Sequence, residues 1–266
     1  MQARLQRWYG LRFLVGQLAL REVAQRYRGS WLGGLWAILT PLLMLGVYTW
    51  VFSSVFQARW SEGSGGSEAD FALNVFAGML FLQFFSDNVA RAPGLVTSNG
   101  NYVKKVVFPL AILPCVSLLS SLTHFLIGLA IWGTFYFYVH QTLHATLLYL
   151  PLVMLPLLLL TLGLSWFLAA TGAYVRDIGQ GVQMLMTLLT FVSPVFYPLD
   201  RLPESMRGWL LFNPLSFPIE QGRAVMIQGL TPDWAGLGIY ALVGLVAVVI
   251  GYRWFNFTRP GFADVL

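Results

Sequence analysis

Residues that could do chemistry are scarce in this sequence, and none forms a recognised catalytic motif. There is no G-x-x-x-x-G-K-[ST] phosphate loop, and no Gly-Lys pair occurs at all, so the chain should not bind ATP by itself in the usual way. The motifs G-x-S-x-G and H-E-x-x-H are also missing. Cys115 is the single cysteine, which forbids an internal disulfide. We therefore predict no catalytic residue, metal site or cofactor in this chain, and ATP-driven work would need a partner.

His124 is the one ionisable residue that falls well inside a predicted membrane span. Intramembrane histidines can relay protons, but a neutral histidine bonded to a neighbouring helix is the more common case. No acidic residue lies well inside a span to serve as its partner in a relay, since Asp87 is near a helix end, and no inverted repeat with matching broken helices is visible. A proton-driven carrier is therefore disfavoured.

Composition and charge spacing identify a membrane protein. The 266 residues are 57% hydrophobic and only 10% charged, which excludes a cytosolic enzyme and a secreted disulfide scaffold. Because about 20 residues cross a bilayer as a helix, the uncharged stretches predict an all-α integral membrane protein with six transmembrane helices. Their approximate bounds are 35–56, 71–90, 110–138, 147–174, 179–197 and 235–254.

Basic residues predict the orientation. With both termini cytoplasmic, twelve arginines and lysines lie inside and four outside, so the net charge of +5 divides into +8 cytoplasmic and −3 external. This is a clear positive-inside bias. Residues 1–33 and 256–266 are then cytoplasmic and flank a six-span domain over 34–255. Topology accounts for the basic character, so nucleic-acid binding need not be invoked.

The N-terminal segment reads as a basic amphipathic helix. One face carries polar side chains and the other apolar ones, which is typical of a helix that lies in the membrane interface. The polar face has Gln17, Arg21, Gln25 and Arg28, and the apolar face has Leu20, Val23, Tyr27 and Trp31. Glu22 and Arg26 add an i,i+4 pair. A plain positive-inside anchor is the alternative.

Two connections stand out. The cytoplasmic loop 91–109 holds both lysines of the chain, Lys104 and Lys105, and either docks a partner or only marks the cytoplasmic side. The external segment 198–234 is cut by five prolines into pieces near 203–212 and 218–228, which are too short to span. They predict either a pair of short re-entrant helices between the fifth and sixth spans or an interfacial cap.

Six stretches of the sequence resemble the type-2 ABC permeases that export cell-surface polysaccharides such as O-antigen, capsule and teichoic acid. The longest is LREVAQRYRGSWLGGLWAILTP at 20–41. The others are VKKVVFP at 103–109 with Leu113-Pro114, YVRDI at 174–178, SPVFYP at 193–198, NPL at 213–215 and PGFADVL at 260–266. The resemblance runs in order along nearly the whole chain.

The resemblance implies a homodimer in the cytoplasmic (inner) membrane, joined by two ATP-binding cassette subunits that hold ATP and Mg and drive export of a lipid-linked polysaccharide. It implies ATPase contacts at Arg21, Glu22, Arg26, Arg28, Lys104, Lys105, Arg176 and Asp177. It also implies that the first and fifth spans line the path and that a helix pair gates its external end, which would include Pro203, Trp209, Asn213, Pro214 and Pro218.

Sugars present C–H faces that pack on aromatic rings, so aromatic residues of these two spans are candidates for the channel lining; they are Tyr48, Phe52, Phe191, Phe196 and Tyr197. The alternative is that these rings face lipid or belong to interfacial belts. Two other functions stay open. One is an ABC permease for a drug or small lipid, and the other is an intramembrane transferase, which should show acid/base or nucleophile pairs.

Overall fold

The computed structural model describes residues 2–51, 68–100, 108–199, 203, 208, 210 and 212–265, with side chains from Arg12 to Ala263. These ranges contain helices and no strand, which confirms the predicted all-α class. The main helices, in chain order, are α1 Gln2–Tyr27, α2 Trp36–Thr49, α3 Glu68–Arg91, α4 Leu113–His140, α5 Leu150–Tyr174, α6 Ile178–Val192, α7 Ser216–Met226, α8 Trp234–Thr258 and α9 Phe262–Val265.

Four helical stretches are long and apolar enough to cross a membrane, and they match the second, third, fourth and sixth predicted spans; they are Glu68–Gly94, Leu110–His140, Ala145–Tyr174 and Trp234–Gly261. Two shorter apolar helices, Gly33–Thr49 and Ile178–Val192, match the first and fifth. Residues 52–56 of the first predicted span lie outside the described ranges. The chain is thus a multi-pass membrane protein.

Proline explains why the fifth predicted span, 179–197, is shorter in the structure. Helix α6 ends at Val192, and Ser193 adopts an extended conformation with φ −70° and ψ 144°. The next residue is Pro194, which disfavours the helical conformation at Ser193 and cannot itself donate a backbone hydrogen bond. The last residues of the predicted span therefore leave the helix.

The predicted break after the third span and the predicted N-terminal helix both lie within the described residues. The polar break after the third span is confirmed, because α4 ends at His140 and Gln141 takes a left-handed conformation with φ 57°. The N-terminal helix is also present, and its predicted polar side chains are exposed. The assignment of Trp31 to its apolar face is wrong, because α1 ends at Tyr27. A left-handed turn at Gly29 follows, and Trp31 is 97% exposed.

Helix α3 lies at the centre of the bundle. Nearly every side chain from Phe71 to Phe85 is buried, and the helix contacts α2, α4, α5, α6 and α7. A helix that is apolar all round is typical of such a surrounded position. The peripheral helices that contact α3 are therefore attached to the centre of the bundle.

The most extensive helix pairing joins α5 and α8, and glycines allow it. A Cβ on Gly163 would lie 2.5 Å from the backbone nitrogen of Val248, and one on Gly244 would lie 2.9 Å from the Pro156 carbonyl oxygen. Small residues at such crossings let helix backbones approach closely in membranes. The outer face of α8 is largely exposed, which suits a helix at the lipid-facing edge.

Candidate functional site

A cavity of about 790 Å³ lies at the end of the bundle that is predicted to be cytoplasmic. It is bounded by α1, by the single helical turns Ala92–Gly94 and Thr97–Asn99, and by the start of α6. The structure therefore brings three of the predicted ATPase-contact residues, Arg21, Glu22 and Arg176, to one cavity. This cavity is called the α1–α6 cavity below.

A network of four charged side chains ties α1 to the end of α3 beside this cavity. Arg26 donates two hydrogen bonds to the Asp87 carboxylate at 2.9 and 3.0 Å. Arg91 donates to Glu22 and to Asp87, each at 2.9 Å, and Ser121 of α4 donates to Asp87 at 2.8 Å. Glu22, Arg26, Asp87 and Arg91 are called the charge network.

The charge network changes the interpretation of Glu22 and Arg26, which the sequence suggested as a pair within α1. Each instead forms an ion pair with a residue of α3. Burial raises the pKa of the Glu22 carboxyl, and the Arg91 guanidinium partly offsets that rise. Burial lowers the pKa of Arg26, but its hydrogen bonds to Asp87 outweigh this and raise the pKa overall. Arg26 therefore stays charged at neutral pH.

Asp87 and Arg91 are the participants that sequence reasoning missed. They are four residues apart at the end of a span, so their mutual ion pair follows helical spacing. That spacing was a usable signal. Their bonds to α1 cross 61 and 69 residues of sequence, and no local pattern indicates them.

The other predicted ATPase-contact residues are placed differently. Arg28 lies beyond the end of α1 and is exposed, and Asp177 is exposed in the short connection from α5 to α6. Lys104 and Lys105 lie outside the described residues. The part of the loop that is described packs closely on α5, since a Cβ on Gly172 would lie 2.6 Å from the Cα of Pro93. This contact joins the start of the loop to a membrane span.

Among the candidate channel residues, the structure brings one pair together. The rings of Tyr48 and Phe196 lie 5.3 Å apart between centroids, so α2 meets the segment after α6. Phe191 is 71% exposed on α6. The Tyr197 hydroxyl donates to the Val192 carbonyl at 2.6 Å, which covers the end of that helix. Phe52 lies outside the described residues.

The residues of the predicted gate that are described meet at the opposite end of the bundle. Asn213 donates from its side-chain nitrogen to Ser193 Oγ at 3.0 Å and accepts from the Leu215 backbone nitrogen at 2.9 Å. The Pro214 carbonyl accepts from the Tyr240 hydroxyl of α8 at 2.5 Å. Pro218 lies in the first turn of α7.

The sequence predicts two short helices in the 198–234 segment, and the structure describes one of them fully. The short helix that the sequence places at 218–228 begins two residues earlier, because α7 runs from Ser216 to Met226. Most of the other predicted helix, 203–212, including Trp209, lies outside the described residues, and Pro203 is exposed.

His124 makes a polar contact within its own helix. His124 Nδ1 lies 2.8 Å from the Ser120 carbonyl oxygen of its own helix, so this contact is made within α4 rather than to the neighbouring helix that the sequence suggested. Within the described ranges, no group of three or more His, Cys, Asp or Glu side chains is arranged to hold a metal ion.

Comparison with known proteins places this architecture in a family. The family model of the ABC-2 type transporter matches residues 14–227. The O-antigen export system permease protein RfbA of Myxococcus xanthus is 31% identical over 96% of each chain. RfbA of Klebsiella pneumoniae is 24% identical over 97% of this chain and 98% of its own. The polysialic acid transport protein KpsM of Escherichia coli is 26% identical over 89% of this chain and 90% of its own.

The matched region runs from α1 through α7, so it includes the charge network, the α1–α6 cavity and the described part of the predicted gate. The resemblance noted from the sequence motifs is thereby confirmed. With the family model matching well over half of its residues, this chain belongs to the ABC-2 type transporter family.

Proposed function

We propose that this chain is the permease subunit of an ATP-driven exporter that moves a lipid-linked cell-surface polysaccharide across the bacterial cytoplasmic membrane. The observation that carries the proposal is the similarity to O-antigen export permeases over 96% or more of both chains. The similarity to a polysialic acid transporter supports the same class of cargo. The multi-pass helical fold supports a transport role.

The homodimer and its two ATP-binding cassette subunits are part of the proposal. The sequence has no phosphate loop of its own, so nucleotide and Mg would be bound by the partner. The α1–α6 cavity is the proposed docking site, because α1, the loop after α3 and the start of α6 meet there. Movement of a docked subunit would reach the centre of the bundle through the charge network.

The proposed topology has six spans and cytoplasmic termini. Its support is the excess of basic residues on the loops assigned to the inside. In a chain with Cys115 replaced by Ala, Thr231→Cys should react with an impermeant thiol reagent added outside intact cells, and Ser98→Cys should not. Labelling at position 98 under these conditions would overturn the orientation.

The proposed path runs along α2 and α6 at the dimer interface, with the 198–234 segment as its external gate. Tyr48 on α2, Phe191 on α6 and Phe196 in the segment after α6 supply aromatic surface along this path. Aromatic faces bind the C–H faces of sugars, and a partly hydrated path would hydrogen-bond the hydroxyls. Both properties suit a glycan better than a simple lipid.

A genetic experiment tests the function. Deleting the gene from the source bacterium should abolish the surface polysaccharide and cause a lipid-linked polymer to accumulate inside the cell. Restoring the wild-type gene should reverse both effects. Normal surface polysaccharide in the deletion strain, with no internal accumulation, would overturn the proposal in favour of a drug or small-lipid cargo.

A further inference from the structure

A buried arginine lies at the centre of the predicted gate. Arg223 of α7 is 1% exposed, although the sequence places it in the external segment 198–234, where it is one of three basic residues. Burying a guanidinium is costly unless hydrogen bonds satisfy its donors. The partners of Arg223 therefore indicate what the residue does.

The guanidinium of Arg223 connects three elements. It donates to the carbonyls of Pro194 and Val195, at 2.6 and 2.8 Å, directly after the end of α6. It also donates to the Asn74 carbonyl of α3 at 3.1 Å. Within α7 it pairs with Glu220 at 3.0 Å. The planar fork of arginine can serve several acceptors at once, which lysine cannot do in the same geometry.

The backbone around Arg223 leaves room for this arrangement. A Cβ on Gly78 of α3 would lie 2.8 Å from Nη2 of Arg223 and 3.3 Å from the Cα of Val195. A Cβ on the adjacent Gly222 would overlap the Phe81 ring. Glycines at both positions therefore let α7 rest on α3 with the guanidinium between α3 and the α6 break.

We propose that Arg223 is a positioning residue that fastens the gate helix α7 to the break after α6, so that α6 and α7 move together when the transporter opens. The proposal rests on the proposed export function, since it gives the gate a mechanical link to a path-lining helix. The Ser193–Asn213 bond lies at the same break and strengthens the same link.

The α6 break itself supplies a reporter that needs no cargo. Ser193 is fully buried at this break, so Ser193→Cys in a Cys115→Ala background should react slowly with a thiol reagent added from outside. Thr231→Cys is the matched exposed control. Loosening α7 from the break should speed labelling at position 193 several-fold and leave position 231 unchanged.

Three variants test the link. Arg223→Lys keeps the charge and loses the fork, and Gly78→Ala places a methyl group where the guanidinium lies. Both should speed labelling at position 193 several-fold and should lower polysaccharide export per ATP hydrolysed by the assembled complex several-fold. Arg253→Lys is the control, because it makes the same change at an exposed arginine near the end of α8 that lies away from the gate. It should match the wild type.

The ratio of export to ATP hydrolysis separates positioning from bulk stability, because a loss of folded complex lowers both quantities together. Unchanged labelling and an unchanged ratio in Arg223→Lys would overturn the proposal. An absence of polysaccharide export by the wild-type complex would instead overturn the proposed function, and the labelling comparison would still decide the role of Arg223.

Discussion

The two ends of the bundle each attach a peripheral helix to α3, but with different chemistry. At the predicted cytoplasmic end, α1 is held by the charge network, whose side chains are between 23% and 40% exposed. At the predicted external end, α7 is held by Arg223, which is buried and donates mainly to backbone carbonyls.

This difference indicates which of the two attachments can change during a transport cycle. Ion pairs that water reaches are worth little individually and can exchange partners. A buried guanidinium bonded to carbonyls has no equivalent alternative, because breaking it leaves buried polar groups unsatisfied. The charge network is therefore suited to rearrange when a partner moves α1, and the Arg223 link is suited to move as a rigid unit.

The largest expected effect is on the external link. Arg223→Met should lower the free energy of unfolding by about 3–5 kcal/mol, because the carbonyls of Pro194, Val195 and Asn74 lose their buried donor. Thermal unfolding of the purified protein in detergent measures this, with Arg253→Met, at an exposed arginine of α8, as the control. A change within about 0.5 kcal/mol would remove the contrast between the two ends.

The cytoplasmic attachment should respond less in stability and more in coupling. Asp87→Asn removes the carboxylate that serves Arg26 and Arg91, and its partial exposure limits the cost to about 1–2 kcal/mol. We expect ATP hydrolysis by the assembled complex to continue while polysaccharide export falls several-fold. Glu68→Gln, which changes an exposed acid at the opposite end of α3, is the control. Export per ATP equal to that of the wild type in Asp87→Asn would remove the network from the coupling path.

Four spans were predictable because charged residues bracket long apolar stretches. The fifth predicted span, 179–197, instead continued through Pro194, where the helix ends. The pairing of Arg26 with Asp87 was not predictable, since it depends on how α1 lies against α3 and α4. Arg223 was missed because an arginine in a proline-rich external segment looks like a solvated loop residue. Its burial depends on how α7 packs on α3 at Gly78 and Gly222, which no local sequence pattern indicates.

Salt concentration should affect the two attachments differently, and this effect is smaller than the two above. Raising the salt concentration from about 0.15 M to about 1 M shortens the Debye length from about 8 Å to about 3 Å. Ala19 is buried on the face of α1 that carries Glu22 and Arg26. In a Cys115→Ala background, labelling of Ala19→Cys in inside-out vesicles should therefore speed up at high salt, and labelling of Ser193→Cys in right-side-out vesicles should not. Equal responses at both positions would contradict the proposed difference.

The smallest expected change in the free energy of unfolding is at Phe191, on the proposed path between the two ends. Phe191→Ala removes an exposed ring, so unfolding should change by about 0.5 kcal/mol or less, while export should slow because the glycan loses a stacking surface. Phe257→Ala on α8, also highly exposed, is the matched control and should leave export unchanged. Normal export in Phe191→Ala would exclude this ring from the path.

Reconstitution of the purified complex tests the central claim most directly. The chain and its ATP-binding cassette partner would be placed in vesicles that contain the lipid-linked polysaccharide on the ATPase-facing leaflet. Exposure of the glycan on the opposite side would then be measured with an impermeant glycosidase. We expect translocation that requires ATP and both subunits. Movement of short-chain phospholipids without any movement of the glycan would contradict it.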